Sequence, residues 1–255
     1  AAVGDDESGA ALVVALEERQ IGTDRIITVA GYRTPTKVRI LGGGQSSLKH
    51  QVARYDIEDV LPVQGPWRDS VRDHLAEMAA TASAIAISDY GYGCVQSEVL
   101  EGLAEAADEV PWLCLDSRYR IGSFSGISGA TPNLQELESY CGRRLESDAD
   151  VAAGAEELRR ALGARFLLAT RGNRGMTLVE VDREPLHIPV FGTDEVADVT
   201  GAGDTVLAVL TAALAAGARP ADAAVLANIA AGLVVMKLGT ATVSSAELRA
   251  AVETV

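Results

Sequence analysis

Apolar and polar positions along the 255-residue chain fall into blocks that switch between two periods. Residues 84–88, 112–115 and 166–169 are short, nearly continuous apolar runs. With no polar face, such runs predict strands buried on both sides, as in a parallel sheet. Each run ends in polar residues: Asp89-Tyr90-Gly91-Tyr92-Gly93, Asp116, and Thr170-Arg171-Gly172. The stretches between them predict helices over 97–108, from about Asn133 onward, and over 149–162. Strand followed by helix, repeated, predicts an α/β fold with a mostly parallel sheet covered by helices on both faces. Sheets of this kind bind ligands at the carboxyl ends of their strands, so the three polar loops make one candidate site.

The flanking segments read differently. A helix over 10–18 follows Asp5-Asp6-Glu7-Ser8, which supplies a cap and early acidic residues. Residues 26–30 and 37–41 look extended, with a turn at Gly31 and Pro35. A polar segment over 49–56 and a helix over 67–80 come next. Toward the end, 206–216 and 221–238 are Ala-rich helices separated by Gly217-Ala218-Arg219-Pro220, and their small side chains allow close packing. No repeat, low-complexity block or linker interrupts the pattern, so residues 1–255 are expected to form a single domain.

Composition narrows the functional classes. Hydrophobic residues at 48% and charged residues at 23% suit a globular chain rather than a disordered one. The net charge of −14, without a basic stripe, disfavours nucleic acid and anionic membranes as partners, since both require neutralising cations. No apolar stretch is long enough to span a bilayer and no signal peptide opens the sequence, so a cytoplasmic location is expected. Three scattered cysteines have no metal-type spacing and suit a reducing compartment; Cys114, inside an apolar run, reads as core.

The most informative stretch is Asp198-Val199-Thr200-Gly201-Ala202-Gly203-Asp204-Thr205, placed directly before a long helix. The near absence of side chains at Gly201, Ala202 and Gly203 lets an oxyanion approach the unpaired amides of the helix N-terminus. Asp204, in the first turn, can accept the proton of an attacking hydroxyl. The plainer reading makes Thr200 a cap and Asp204 a partner of the helix dipole, and a lone Gly-x-Gly would favour it. There is no Walker A pattern.

This stretch resembles the second signature, Asp-x-Thr-Gly-Ala-Gly-Asp, of the ribokinase-like (PfkB) family of carbohydrate kinases, and the resemblance runs over nearly the whole chain. It implies a three-layer ribokinase-like α/β fold with a small β lid, to which residues of about 26–56 contribute. It also implies phosphoryl transfer from ATP to a sugar hydroxyl, with Asp204 as base and residues 201–203 as anion hole. Asn133-Leu134-Gln135-Glu136 matches the family's Asn-x-x-Glu motif, which implies that Glu136 holds Mg²⁺ through water; an N-cap at Asn133 with Glu136 as its capping-box partner fits the same residues. Thr170, Arg171, Gly172 and Gly175 resemble the segment lining the nucleotide, although a tight turn between two strands explains Gly175 equally well. Asn228 matches a position facing adenine. Asp198 and Thr200 match positions that supply oxygens to a monovalent cation, which adds K⁺ to ATP and Mg²⁺.

Within the family, several segments resemble the heptose-7-phosphate kinases that feed ADP-heptose synthesis. They include Thr36-Lys37-Val38-Arg39-Ile40, Gln51-Val52-Ala53-Arg54-Tyr55-Asp56, Ser88-Asp89-Tyr90-Gly91 and Lys237-Leu238-Gly239-Thr240. The resemblance implies phosphorylation at the anomeric O1, with Lys37, Arg39, Gln51 and Asp89 at the sugar phosphate; it also allows a homodimer. Of the lid cations Lys37, Arg39, Lys49 and Arg54, Lys49 reads more simply as a solvated charge. Two positions depart from the subgroup: Tyr92 stands where a Lys is usual, and Asp116-Ser117-Arg118 replaces Asp-Pro-Lys. A kinase for another sugar or nucleoside therefore stays open, as does a non-catalytic nucleotide-binding relative, against which Asp204 speaks. The opening Val3-Gly4-Asp5-Asp6-Glu7-Ser8-Gly9 resembles a point well inside the family domain, so the lid and first strand are expected to be incomplete on the N-terminal side; either a segment precedes the sequence given or the relative is shortened.

Overall fold

The computed structural model describes residues 1–42, 50–96, 110–192 and 198–254. The helix expected over 97–108 and Lys49 lie outside the described residues. Six strands form the central sheet: β5 (Ile85–Asp89), β6 (Leu113–Ser117), β7 (Gly129–Ala130), β8 (Phe166–Thr170), β9 (Met176–Glu180) and β10 (Leu186–Ile188). Their spatial order is β10-β9-β8-β7-β6-β5. The four from β5 to β8 run parallel, and β9 and β10 add an antiparallel edge.

The central strands β6 to β9 are buried on both faces and alternate between two cores, while the edge strands leave Ala86 and Ser88 of β5 and Leu186 and His187 of β10 exposed. On β8, Leu167 and Ala169 pack toward α3 (Leu134–Cys141) and α4 (Asp148–Leu162), meeting Leu137, Leu158 and Leu162. Phe166 and Leu168 point the other way, toward α5 (Ala202–Ala215) and α6 (Pro220–Val235), meeting Leu207, Leu210 and Ala227. The period of two thus survives inside runs that are apolar throughout. Cys114 is fully buried beside Phe166, as expected of a core thiol. Helices α5 and α6 pack along each other through Ala213, Ala223, Ala224 and Ala227, all buried.

The helix ends have clear chemical causes. Ser147 caps α4 in a capping box with Asp150, and Gly163 ends it in the left-handed conformation. Helix α1 is Glu7–Glu17, three residues earlier than the sequence pattern predicts, because Asp6 is the cap and accepts from Gly9 N at 2.8 Å. Helix α2 is Pro66–Ala79, and α7, Ser245–Val252, is an addition that the apolar periodicity does not announce.

Two smaller strand pairs complete the described structure. β1 (Ala2–Gly4) and β2 (Ile27–Val29) pair in parallel. β3 (Thr36–Gly42) and β4 (His50–Ile57) form an antiparallel ribbon with a bulge between Ile40 and Leu41. The segment read only as polar is therefore a strand. Its polarity has a physical reason: the ribbon covers no core of its own and leaves Ile40, Val52 and Tyr55 at least half exposed.

Candidate active site

Helix α5 begins at Gly201, whose φ of +82° is open to glycine at little cost. No side chain caps this end, and among the described residues the amides of Gly203 and Asp204 carry no hydrogen bond inside the protein. The helix thus presents free N–H groups and its positive end at a turn with almost no side-chain bulk. Asp198 shapes the approach to this turn by accepting from Thr200 N at 2.9 Å. Its carboxyl is held below the ordinary range by hydrogen bonds from Thr200, with Arg39 contributing further.

Asp204 projects from the first turn and is solvent-exposed. Residues from the carboxyl end of β5 reach it: the Tyr90 hydroxyl donates to Oδ2 at 2.8 Å, and the Ser88 hydroxyl lies 3.4 Å from Oδ1. A carboxylate held on one side by a phenol and open on the other can accept a proton from an incoming hydroxyl.

A third carboxylate, one the motif reading does not select, sits beneath the turn. Asp116 ends β6, and a Cβ built on Gly203 would lie 3.7 Å from its Oδ2. Burial, then the charges of Glu136 and Asp204, push the Asp116 carboxyl up to about 7, against a smaller opposing effect of Arg118. Glu136 is also raised, by burial first. Its Oε2 accepts from Asn133 N at 2.8 Å while Asn133 Oδ1 accepts from Glu136 N at 2.9 Å, a complete capping box at the start of α3. The capping reading of Asn133 and Glu136 is therefore correct in geometry. Two hard oxygen ligands, on residues that repel each other beside an anion-binding turn, fit a divalent cation such as Mg²⁺.

Beside the turn lies a cavity of about 510 Å³. Ala202 and Gly203 floor it at one end; Thr170, Gly172 and Gly175 form one wall, and Asn228 and Gly232 of α6 form the other. Phe191, which carries no sequence motif, and Val199, the variable position of the glycine signature, also line it. Asn228 is buried and spends its amide on Pro189 O at 2.8 Å, which locks the loop after β10 against α6. Arg171 does not line this space. Its guanidinium is buried, donates to Thr177 Oγ1 at 3.0 Å and pairs with Asp148, so the side chain acts as a strut between β8 and α4.

The expected sugar-side residues divide. Lys37 on β3 lies over the rings of Tyr90 and Tyr92, at 5.4 and 5.7 Å, and donates to Tyr92 Oη at 3.3 Å. Arg39 donates to Thr200 Oγ1 at 3.3 Å, so the ribbon touches the glycine turn's own loop. Gln51 pairs with Leu41 across the ribbon in backbone register. Asp89, expected at the substrate, is buried and fully engaged: it accepts from Gly91 N at 2.9 Å, Ser117 Oγ at 2.8 Å and Arg120 at 3.0 Å. That occupancy makes it a support for its loop. Arg54 is paired with Asp56 on the same strand.

A family model described as pfkB family carbohydrate kinase matches residues 121–247. The chain is 37% identical over 248 residues to the bifunctional protein HldE of Pelobacter propionicus, covering 96% of this chain and 50% of that protein. It is 40% identical over 256 residues to HldE of Halorhodospira halophila, covering 97% of this chain and again 50% of that protein. The chain thus spans about half the length of the curated relatives it matches. Among solved structures, phosphofructokinase-2 from Escherichia coli in complex with potassium superposes with a TM-score of 0.78 at 19% identity, over 99% of this chain and 80% of the other. Ribokinase from Giardia lamblia gives 0.77 at 20%, over 100% and 81%. These likenesses establish the ribokinase-like fold. Among the described residues no helix is long and apolar enough to cross a membrane.

Proposed function

We propose that this chain, whose residues 121–247 match the model described as pfkB family carbohydrate kinase, phosphorylates a sugar with ATP, and that its acceptor is the anomeric O1 of a heptose 7-phosphate. The observation that carries the reading is Asp204, set in the first turn of α5 beside free amides, with Oδ2 held by Tyr90 at the carboxyl end of β5 and Oδ1 in only a long contact with Ser88. Asp204 takes the proton of the sugar hydroxyl as that oxygen bonds to the γ-phosphorus. The bond from phosphorus to the β–γ bridging oxygen breaks, and ADP leaves. Amides of the 201–203 turn meet the charge on the transferring group, where fixed dipoles need no reorganisation.

The nucleotide lies in the cavity between the 170–175 loop and α6, its base against apolar walls near Asn228 and its phosphates toward Gly203. Asp116 and Glu136 would hold Mg²⁺, which supplies neutralisation of the β- and γ-phosphate oxygens. A monovalent cation would sit by Asp198 and Thr200; equal rates in K⁺ and tetramethylammonium would remove it.

The heptose-phosphate assignment rests on the likeness to HldE proteins and on the cations of the ribbon. Where the subgroup carries Lys and this chain has Tyr92, the Lys37 ammonium lies against the Tyr92 hydroxyl. That contact supports a reading in which Lys37 supplies the positive charge from another strand.

The test is turnover of ATP and Mg²⁺ with D-glycero-D-manno-heptose 7-phosphate beside a panel of other sugars, sugar phosphates and nucleosides. Preferential ADP release with the heptose phosphate supports the reading. Turnover of a different sugar moves the substrate but keeps the class. Asp204→Asn should keep ATP affinity while losing roughly 10²–10⁴-fold in kcat, the usual worth of a positioned base.

A further inference from the structure

The end of β5 shows a division of labour along three consecutive residues. Strand alternation sends Ser88 and Tyr90 outward and Asp89 inward. Asp89 fixes the loop from inside, through the amide of Gly91 and the side chains of Ser117 and Arg120. Tyr90 is thereby presented on a braced segment, with the Lys37 ammonium against its ring and its hydroxyl 2.8 Å from Asp204 Oδ2. On the other oxygen, Oδ1, Ser88 makes only the long 3.4 Å contact.

We propose that Tyr90 is a positioning residue for phosphoryl transfer: its hydroxyl holds Asp204 by Oδ2, so that Oδ1 is the oxygen turned toward the sugar hydroxyl. This rests on the reading of Asp204 as the base. An aspartate at a helix start has two free side-chain torsions, and a proton acceptor serves the reaction only in the narrow range of angles from which it reaches the hydroxyl. A charge-assisted bond from a braced phenol selects that range without occupying the working oxygen. The phenol suits the task because it stays protonated: burial, then the bond to Asp204, push its ionisation well above the usual tyrosine range. Removing the hydroxyl leaves the ring, the Lys37 contact and the strand untouched, so the role can be separated from folding.

The experiment is a double-mutant cycle in the full chain, with ATP, Mg²⁺ and D-glycero-D-manno-heptose 7-phosphate as the probe. Tyr90→Phe alone should lower kcat by about 10- to 100-fold, the range of a lost hydrogen bond to a charged group, and leave KM for ATP and calorimetric ATP affinity unchanged. In an Asp204→Asn background the same Tyr90→Phe change should alter kcat by less than about 2-fold. Full activity of Tyr90→Phe overturns the proposal, and so does an equal loss in both backgrounds, because Tyr90 would then act independently of Asp204. Loss of ATP affinity along with kcat overturns it too, since the role would be structural. Full activity of Asp204→Asn would remove the base itself, and that failure shows in the single variant before Tyr90 is changed.

Discussion

Asp116→Asn should stabilise the fold while weakening the enzyme, by an amount that depends on pH. In the native chain the Asp116 carboxyl is raised from 3.8 to about 7. Between those values the folded state keeps a proton that the unfolded state has released, so stability falls as pH rises from about 4 through 7. A shift of roughly three units is worth about 4 kcal/mol at 1.36 kcal/mol per unit. Asp116 is partly open to solvent and shares its strain with Glu136 and Asp204, so about half of that, ~2 kcal/mol, is the expected effect. Asparagine keeps the shape and never ionises. The variant should melt roughly 4–8 °C above the parent at pH 8, by the usual 2–4 °C per kcal/mol in a chain of this size, and the gap should close near pH 4. Millimolar Mg²⁺ should raise the parent's melting temperature and leave the variant's almost unmoved, while kcat of the variant falls. Thermal unfolding at both pH values, with and without Mg²⁺, reads all of this. A variant no more stable than the parent at pH 8 would refute the idea that these carboxylates repel one another around a cation's place.

Two further changes separate scaffold from chemistry. Glu136→Gln retains an oxygen to accept from Asn133 N, so the cap of α3 and the melting temperature should persist while the Mg²⁺ needed for half-maximal activity rises several-fold; an unchanged Mg²⁺ titration leaves Glu136 with its cap alone. At Gly175, with φ +76°, an added Cβ would lie 2.0 Å from Ile188 O; Gly175→Ala should therefore cost about 2 kcal/mol or more in urea unfolding and weaken ATP binding, and a loss under about 0.5 kcal/mol would contradict the close approach of the loop after β10.

What could be seen in the sequence follows from how each element is solvated. Strands β6 and β8 announce themselves because both faces are covered, leaving an apolar run with sharp polar ends; β5 shows the same run although Ala86 and Ser88 face solvent. β7 is two residues, Gly129 and Ala130, too short for any period to register. β4 shows a mixed face because it belongs to an exposed ribbon. The glycine turn and Asp204 are local in sequence, and a helix start is a local event, so they are legible. Asp116 is not, because a lone aspartate after a strand looks like any loop acid; only burial against Glu136 and Asp204 sets it apart. The inward placement of Asp89 is not legible either: its polar loop suggests a ligand, whereas the strand's alternation turns the side chain toward Ser117. The contact of Tyr90 with Asp204 spans 114 residues of chain and has no local signature.

The seam between α5 and α6 and the β3–β4 ribbon stand at opposite ends of the local-unfolding scale. Opening α5 requires parting it from α6 and from Phe166 and Leu168 of the sheet, so its amides exchange with solvent only near the global free energy of unfolding. Among the described residues the ribbon keeps few buried contacts and meets the loop before α5 through a 3.3 Å bond from Arg39 to Thr200, so it should open at a small fraction of that free energy. One site is thus built from two grades of rigidity. Under the proposed function, a substrate would enter and leave by motion of the ribbon while the amides proposed to receive the phosphoryl charge stay in register.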